Sequence, residues 1–348
     1  MKQNISAPYG LKSALLVMLG VWAGLSNATD EHAHHATHDH FGNEPIGVMG
    51  AHSHATGDWM FSYRAMRMEM DGNRDGSSRM STGDVFAEGF MIAPTSMTMD
   101  MHMFGAMYGV NDDLTVMLMA PYIDMEMDHV TGMGMKFTTE TDGIGDVKLS
   151  SIFRLKQWGN HQLNLNAGIS VPTGSIDEKD DTPMGSNQHL PYPMQLGSGT
   201  WDLIPGLTYT GHNSDRSWGA QGVAVVRIDE NDNDYTLGDR FHASGWVAKD
   251  WTAEFSSSLR VNGQWWGNID GSDKKLPMMA PTMVPTADPD LRGGRRFDLF
   301  VGAAFKPSSG FFKGQRLALE YGQPVYQNLD GPQLETDWTL TLGWQLGL

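Results

Sequence analysis

The chain has 348 residues, with 41 acidic and 24 basic side chains and a formal charge of −17. This charge argues against nucleic acid as a partner, because proteins that bind phosphate backbones need basic surface. The chain contains no cysteine, which excludes disulfides, thiolate metal sites and a catalytic cysteine. Methionine is unusually abundant, with 25 residues, most of them between Met49 and Met135.

The first 28 residues have the pattern of a secretory signal. Lys2 and Lys12 supply the positive region ahead of an apolar run, and residues 26–28 supply the small side chains of a cleavage site. The apolar run, residues 14–25, is too short for a transmembrane helix. No later stretch approaches the roughly 18 apolar residues that a spanning helix needs. The sequence therefore predicts export and, if the mature chain enters a membrane, a β-barrel in the outer membrane.

A histidine-rich segment, residues 29–57, follows the predicted signal. Imidazoles at this density bind Cu(II), Zn(II) or Ni(II), and the alternative is a solvated tail that collects metals incidentally. The segment is expected to be either a tail or a plug of the barrel. Its histidines are His32, His34, His35, His38, His40, His52 and His54.

From residue 58 to residue 348 the sequence repeats segments in which apolar and polar residues alternate. Short and long connections also alternate, as they do in outer-membrane barrels. A periplasmic β-sandwich, the alternative fold, would not need that alternation. The sequence predicts an all-β, transmembrane, antiparallel up-and-down barrel of about twelve strands. They lie near 58–68, 97–109, 113–127, 145–156, 160–171, 199–211, 216–229, 235–248, 251–266, 296–306, 315–326 and 335–348.

The alternation also assigns the two faces of each strand. Apolar residues such as Leu163 and Phe297 are expected to face lipid, and charged residues such as Lys148 and Glu320 are expected to face the lumen. The long connections are predicted at about 69–96, 128–144, 172–198, 267–295 and 327–334.

Methionines recur at strand spacing, opposite aromatic and aliphatic residues that belong against lipid, so they are predicted to point inward. Thioethers are soft ligands for Cu(I) or Ag(I), and they are also adaptable surfaces for apolar or aromatic ligands. Simple filling of the barrel interior is a third interpretation. The candidate metal ligands are Met97, Met99, Met101, Met103, Met117, Met119, Met125 and Met127. Additional ligands are expected from Asp100, His102, Asp124, Glu126, Asp128 and His129.

The sequence contains no motif of nucleophilic or zinc-dependent catalysis, and a role other than that of an enzyme is expected. Several short runs resemble an outer-membrane family named for a protein of a phenol-degradation pathway (MetA-like). They are GIGDVKL at 143–149, VPTGS at 171–175, LGSGTWDL at 196–203 and GLTY at 206–209. The resemblance implies a barrel that passes small molecules.

The front of the chain is similar to a Met- and His-rich subgroup suspected of copper handling, through PIGVMGAHSH at 45–54 and WMFSYRAMRMEMDG at 59–72. The first hypothesis is therefore an outer-membrane channel or transporter whose path contacts copper or silver, with no cofactor required. The net negative charge is expected to favour cations. The alternatives are a passive barrel for small apolar or aromatic compounds, and an envelope metal sink or sensor that transports nothing. Outer-membrane lipid and a small molecule or metal ion are the expected partners.

Overall fold

The structure, a computed structural model, describes residue 42 and residues 44–348. The predicted signal and most of the histidine-rich segment lie outside the described residues. Strands account for most of the described chain. They are β1 (Trp59–Gly76), β2 (Ser78–Met80), β3 (Ile92–Asn111), β4 (Leu114–Thr131), β5 (Lys136–Ile144), β6 (Val147–Trp158), β7 (His161–Val171), β8 (Lys179–Thr182), β9 (Gly185–His189), β10 (Asp202–His212), β11 (Arg216–Arg227), β12 (Tyr235–Thr236), β13 (Arg240–Asp250), β14 (Phe255–Trp266), β15 (Asp270–Gly271), β16 (Gly294–Phe305) and β17 (Gln315–Gly347).

Each long strand pairs antiparallel with its neighbour in the chain, and β17 pairs with β1 to close the sheet into a barrel. Closure removes the open edges that invite aggregation, and it satisfies the backbone polar groups inside a membrane. β5 continues β6 along β4, so these two elements form one strand of the wall. The short strands β2, β8, β9, β12 and β15 lie outside the closed circuit, in the external connections.

The closed antiparallel barrel has eleven strands, and the all-β barrel prediction is confirmed. The last strand, β17, contains 33 residues and makes two rows of the wall. Its first half pairs with β16 and its second half pairs with β1. Hydrogen bonds between Gln327 and Thr336 and between Arg316 and Gln345 join the two halves. Counted as two strands, they give the twelve that the sequence pattern indicates.

The two faces of the strands are those predicted. Leu299 and Val301 on β16 are exposed on the outside, whereas Asp298 and Phe300, which alternate with them, are buried inside. The outer surface carries a band of aliphatic and aromatic side chains, such as Leu118, Phe104 and Val247. A closed barrel with an apolar exterior is an outer-membrane protein. In the described part of the chain, no helix is long and apolar enough to cross a membrane. The helices are α1 (Thr82–Ala87) and α2 (Ala280–Met283), with 3-10 turns at Tyr192–Met194, Pro285–Ala287 and Pro289–Leu291.

The sequence placed several external ends of strands wrongly. β1 extends to Gly76 and β3 begins at Ile92, so the predicted loop 69–96 is mostly strand. The predicted loops 128–144 and 327–334 are also strand, apart from the turn between β4 and β5. Residues 235–239, predicted as strand, belong to the connection before β13. These strands extend beyond the lipid into water, where polar side chains on both faces leave no hydrophobic alternation to detect.

Candidate functional site

Methionines from three adjacent strands form one wall of the lumen, which we call the methionine wall. Cross-strand pairing places them side by side in rows that run across the three strands. In the highest row Met97 of β3 pairs with Met70 of β1 and with Met127 of β4. In the next row Met99 pairs with Met68 and Met125. Directly opposed residues in antiparallel strands have Cβ atoms about 5 Å apart, so each row can bring three thioethers into contact.

The wall divides into an external and a periplasmic cluster. The external cluster includes Met97, Met125 and Met127, packed against Leu190 and Leu196 of the connection between β7 and β10. The periplasmic cluster surrounds Met49 of the N-terminal segment. Met101, paired with Met66 and Ile123, lies between them. All the predicted methionines therefore belong to one inward face. The members of the periplasmic cluster are Met49, Met60, Met103, Met107, Met117, Met119 and Ile152.

A cavity of about 390 Å³ lies in the external half of the lumen, against the methionine wall. Pockets of this size accommodate small organic ligands. Thioether side chains are flexible and polarisable, and they adapt to ligands of different outline. The methionines that line this cavity are Met68, Met70, Met97, Met99, Met125 and Met127.

The wall opposite the methionines is basic. Arg240 of β13 and Arg296 of β16 line the same cavity, and Arg292 lines it from the connection before β16. Arg296 forms an ion pair with Asp298, at 2.8 Å between Nε and Oδ1. The side chain of Arg240 forms neither a hydrogen bond nor an ion pair with any described residue, and it is exposed to the lumen. No aspartate or glutamate is among the described residues that line the cavity.

External connections cover the cavity from above. Tyr192, Tyr235 and Ile269, from three different connections, pack into one buried cluster. His189 Nε2 and Asp273 Oδ2, 2.8 Å apart, join two of these connections. Arg292 is held by its backbone: its N–H donates to Asn268 and its carbonyl accepts from the Trp266 indole. Burial lowers the pKa of Arg292 to about 10.

The motifs that carry the family resemblance meet at one point above the lumen. Asp146, between β5 and β6, accepts hydrogen bonds from the backbone N–H of Gly174 at 3.0 Å and of Ser198 at 2.8 Å. Gly174 and Gly197 approach so closely that a Cβ on either would overlap the other's backbone. These contacts turn the connection after β7 inward and place Met194 and Leu196 on the methionine wall. No local sequence pattern indicates the role of Asp146, because its partners Gly174 and Ser198 are remote in the chain.

The N-terminal segment, residues 44–57, packs inside the barrel below the cavity. Its backbone carbonyls accept hydrogen bonds from inward side chains on four strands of the barrel wall, so it is held from several sides. A side chain at Gly47 would overlap the Arg260–Glu320 ion pair, so glycine allows this close approach. The donors are Arg64 to Ile46, Gln221 to Met49, Asn166 to Gly50, Asn164 to Ala51 and Arg316 to Glu44.

Of the predicted histidine ligands, the structure describes His52 and His54, while His32, His34, His35, His38 and His40 lie outside the described residues. The rings of His52 and His54 are 4.8 Å apart, and His52 Nδ1 is hydrogen-bonded to Glu44. Burial alone would raise the pKa of Glu44, but His52 and Arg316 hold it well below its usual range. No group of three or more His, Asp or Glu side chains among the described residues is arranged to hold a metal ion.

The carboxylates expected to assist the methionines are on the wrong face. Asp100, Asp124, Glu126 and Asp128 alternate with methionines along β3 and β4, and strand geometry therefore turns them outward. His102 is also outward, where its Nδ1 is 2.7 Å from the hydroxyl of Tyr63. Of this group, His129 is buried on the inward face. For the other five residues, the prediction that they share a site with the thioethers was wrong because adjacent residues of a strand point to opposite faces.

The family model described as putative MetA-pathway of phenol degradation matches residues 93–277. The fold is similar to that of an outer membrane channel from Pseudomonas putida F1, with 15% sequence identity, a TM-score of 0.59, and coverage of 87% of this chain and 100% of that chain. The translocator domain of autotransporter NalP from Neisseria meningitidis matches at 9% identity and a TM-score of 0.44, over 84% of this chain and 90% of that chain. No curated protein matches the chain.

Proposed function

This chain belongs to the family described as putative MetA-pathway of phenol degradation, and on that premise we propose that it is an outer-membrane channel for small apolar or aromatic compounds. The observation that carries the proposal is the cavity of about 390 Å³ against the methionine wall. A closed barrel gives such compounds a path through the outer membrane, and thioethers offer them an adaptable apolar surface.

The N-terminal segment has a place in this proposal. Residues 44–57 fill the lumen between the cavity and the periplasmic end, and the contacts that hold them are mostly single hydrogen bonds and small apolar clusters. Passage of a ring-sized molecule then requires this segment to shift. We propose that it restricts the channel to small solutes and slows their release into the periplasm.

Single-channel recording tests the main proposal. Benzyl alcohol added to the full mature chain in a planar bilayer is expected to cause brief, concentration-dependent blocks of the ion current as it occupies the cavity. Glucose, a somewhat larger ring compound that carries hydroxyl groups on most of its carbons, is expected to cause far fewer blocks. Equal blocking by the two solutes, or none by benzyl alcohol, would contradict the proposal.

A second candidate, soft-metal contact, is favoured by one observation. The rows Met70–Met97–Met127 and Met68–Met99–Met125 each place three potential Cu(I) or Ag(I) donors side by side on adjacent strands. The arginines that line the same cavity oppose it, because they raise the energy of a cation there. The same metal chemistry supports a third function, a sink or sensor that transports nothing.

Calorimetry with Ag(I) on the full mature chain separates these candidates. If the rows bind metal, replacing Met97, Met99, Met125 and Met127 by Leu abolishes the binding, because Leu keeps the volume and removes the donor. The same change at Met133 and Met278, which are more than nine-tenths exposed in external connections, is the control. Affinity that persists in the four-Leu variant would exclude the rows as the metal site. Binding by the rows with no passage of metal into liposomes would favour the sink.

A further inference from the structure

The cavity has two chemically different sides, and each side matches a different part of one ligand. β3, the middle strand of the methionine wall, and β13, which carries Arg240, are diametrically opposed. Five strands separate them in each direction around the barrel, when β5 and β6 count as one strand and the two halves of β17 count as two. A molecule in the cavity therefore has thioethers on one side and a guanidinium group on the other.

The charges around the cavity do not cancel. Arg296 is paired with Asp298, and Arg227, at the external end of the neighbouring strand β11, is paired with Asp202. Asp146 is occupied by backbone N–H donors of Gly174 and Ser198. Arg240 has no partner among the described residues. Lys148 and Arg227 also lie close enough to Arg240 to repel it electrostatically.

Arg292 adds a second unsatisfied group. Its Nε donates to the carbonyl of Leu291 at 2.6 Å, whereas its Nη2 is buried without a hydrogen-bond partner. A buried donor without an acceptor costs free energy unless a ligand or water supplies one. Two guanidinium groups at the cavity thus offer donors that no described side chain uses.

We propose that the cavity is a binding site for small organic anions with an apolar body, of which an aromatic carboxylate is the simplest. The ring lies against Met68, Met99 and Met125, and the carboxylate meets Arg240, whose planar fork matches it in geometry. This inference rests on the proposed channel function and deepens it by naming the substrate class. It reverses the expectation from net charge, because three arginines and no described aspartate or glutamate line the cavity.

Reversal potentials of the full mature chain in planar bilayers test the site. With benzoate on one side and chloride on the other, and likewise with benzylammonium and potassium, the permeability ratios follow from the measured potentials. The permeability of benzoate relative to chloride is expected to exceed that of benzylammonium relative to potassium by about tenfold. A single uncompensated charge in a confined lumen has an effect of that size.

The Arg240→Gln variant is expected to lose most of this preference, and Arg240→Lys is expected to keep it, since lysine retains the charge. Arg295→Gln is the matched control: Arg295 neighbours Arg296 on the same strand but is exposed on the outer face. Heat-modifiable migration on gels checks that each variant has folded. Equal permeability of benzoate and benzylammonium, or an unchanged ratio in folded Arg240→Gln, would overturn the inference.

Blocking by benzyl alcohol distinguishes this failure from failure of the channel proposal. If benzyl alcohol blocks the current but benzoate and benzylammonium are equally permeable, the channel function is supported and the anion site is excluded. If neither benzyl alcohol nor benzoate enters, both fall together.

Discussion

The methionine wall and the basic wall, which is the opposite side with Arg240, Arg292 and Arg296, are built from the same strand pattern but offer a ligand different interactions. On β3 and β4 the inward positions carry thioethers that form contacts with each other and with Leu196. On β13 and β16 the inward positions carry Arg240 and Arg296. The methionine wall offers apolar contacts that have no preferred direction. The basic wall offers charged groups that form directional hydrogen bonds. The lumen therefore has two chemically different sides, and we expect a ligand to bind in one orientation across the barrel.

Removing the N-terminal segment, which lies below both walls, is expected to have the largest effect, and that effect is on conductance. Deletion of residues 44–57 leaves the walls themselves as the narrowest part, and single-channel conductance should rise by roughly an order of magnitude, since conductance follows the open cross-section. The matched control shortens the external connection at residues 183–184, which does not contact the segment. A conductance equal to that of the intact chain would show that the segment does not restrict the lumen.

Placing a charge in the methionine wall should remove the difference between the walls. Met99→Arg puts a cation where the apolar body of the ligand is proposed to lie, and blocking by benzyl alcohol should weaken about tenfold, because apolar contact is replaced by a solvated charge. Met133→Arg, at the exposed turn between β4 and β5, is the control. Unchanged blocking in Met99→Arg would place the binding site elsewhere.

The side of the lumen opposite the methionines contains both ion-paired and unpaired arginines. Their variants should differ in the free energy of unfolding. Arg260 and Glu320 form a buried ion pair with 2.7 Å between Nη2 and Oε2. Arg260→Gln leaves Glu320 buried without its partner, and the free energy of unfolding in urea should fall by about 3 kcal/mol. Arg240→Gln breaks no pair and should change it by less than about 0.5 kcal/mol. Equal losses in both variants would contradict the distinction between the two arginines.

The smallest effect is expected from removing sulfur alone. Replacement of Met97, Met99, Met125 and Met127 by Leu keeps an apolar wall of similar volume, so each change should cost less than about 1.5 kcal/mol in unfolding free energy. Blocking by benzyl alcohol should stay within about twofold of the unmodified chain, because Leu conserves the apolar surface. A loss of blocking with intact folding would mean that the sulfur atoms themselves are required.

The sequence predicted the barrel and its faces because lipid imposes a period of two on each strand. Leu299 and Asp298 could be assigned to opposite faces from their neighbours alone. Polar external ends such as Asp71 and Arg74 are free of that constraint, and there the predicted boundaries failed.

The candidate site was predicted on one side only. The inward direction of Met97 and Met125 follows from local alternation. That Arg240 lies across from them depends on the number of strands between them and on their relative heights, which no local pattern contains. The contacts of Asp146 with Gly174 and Ser198 likewise join remote segments, so the motifs were visible as resemblance but their structural role was not.

We propose that a small aromatic compound occupies the cavity between the methionine wall and Arg240. Crystals of the full mature chain soaked with 4-bromobenzoate test this claim directly, because anomalous scattering locates the bromine. We predict a bromine peak against Met99 and Met125, with the carboxylate density directed at Arg240. A peak only on the outer surface, or ring density beside the arginines with the carboxylate toward the methionines, would contradict the account.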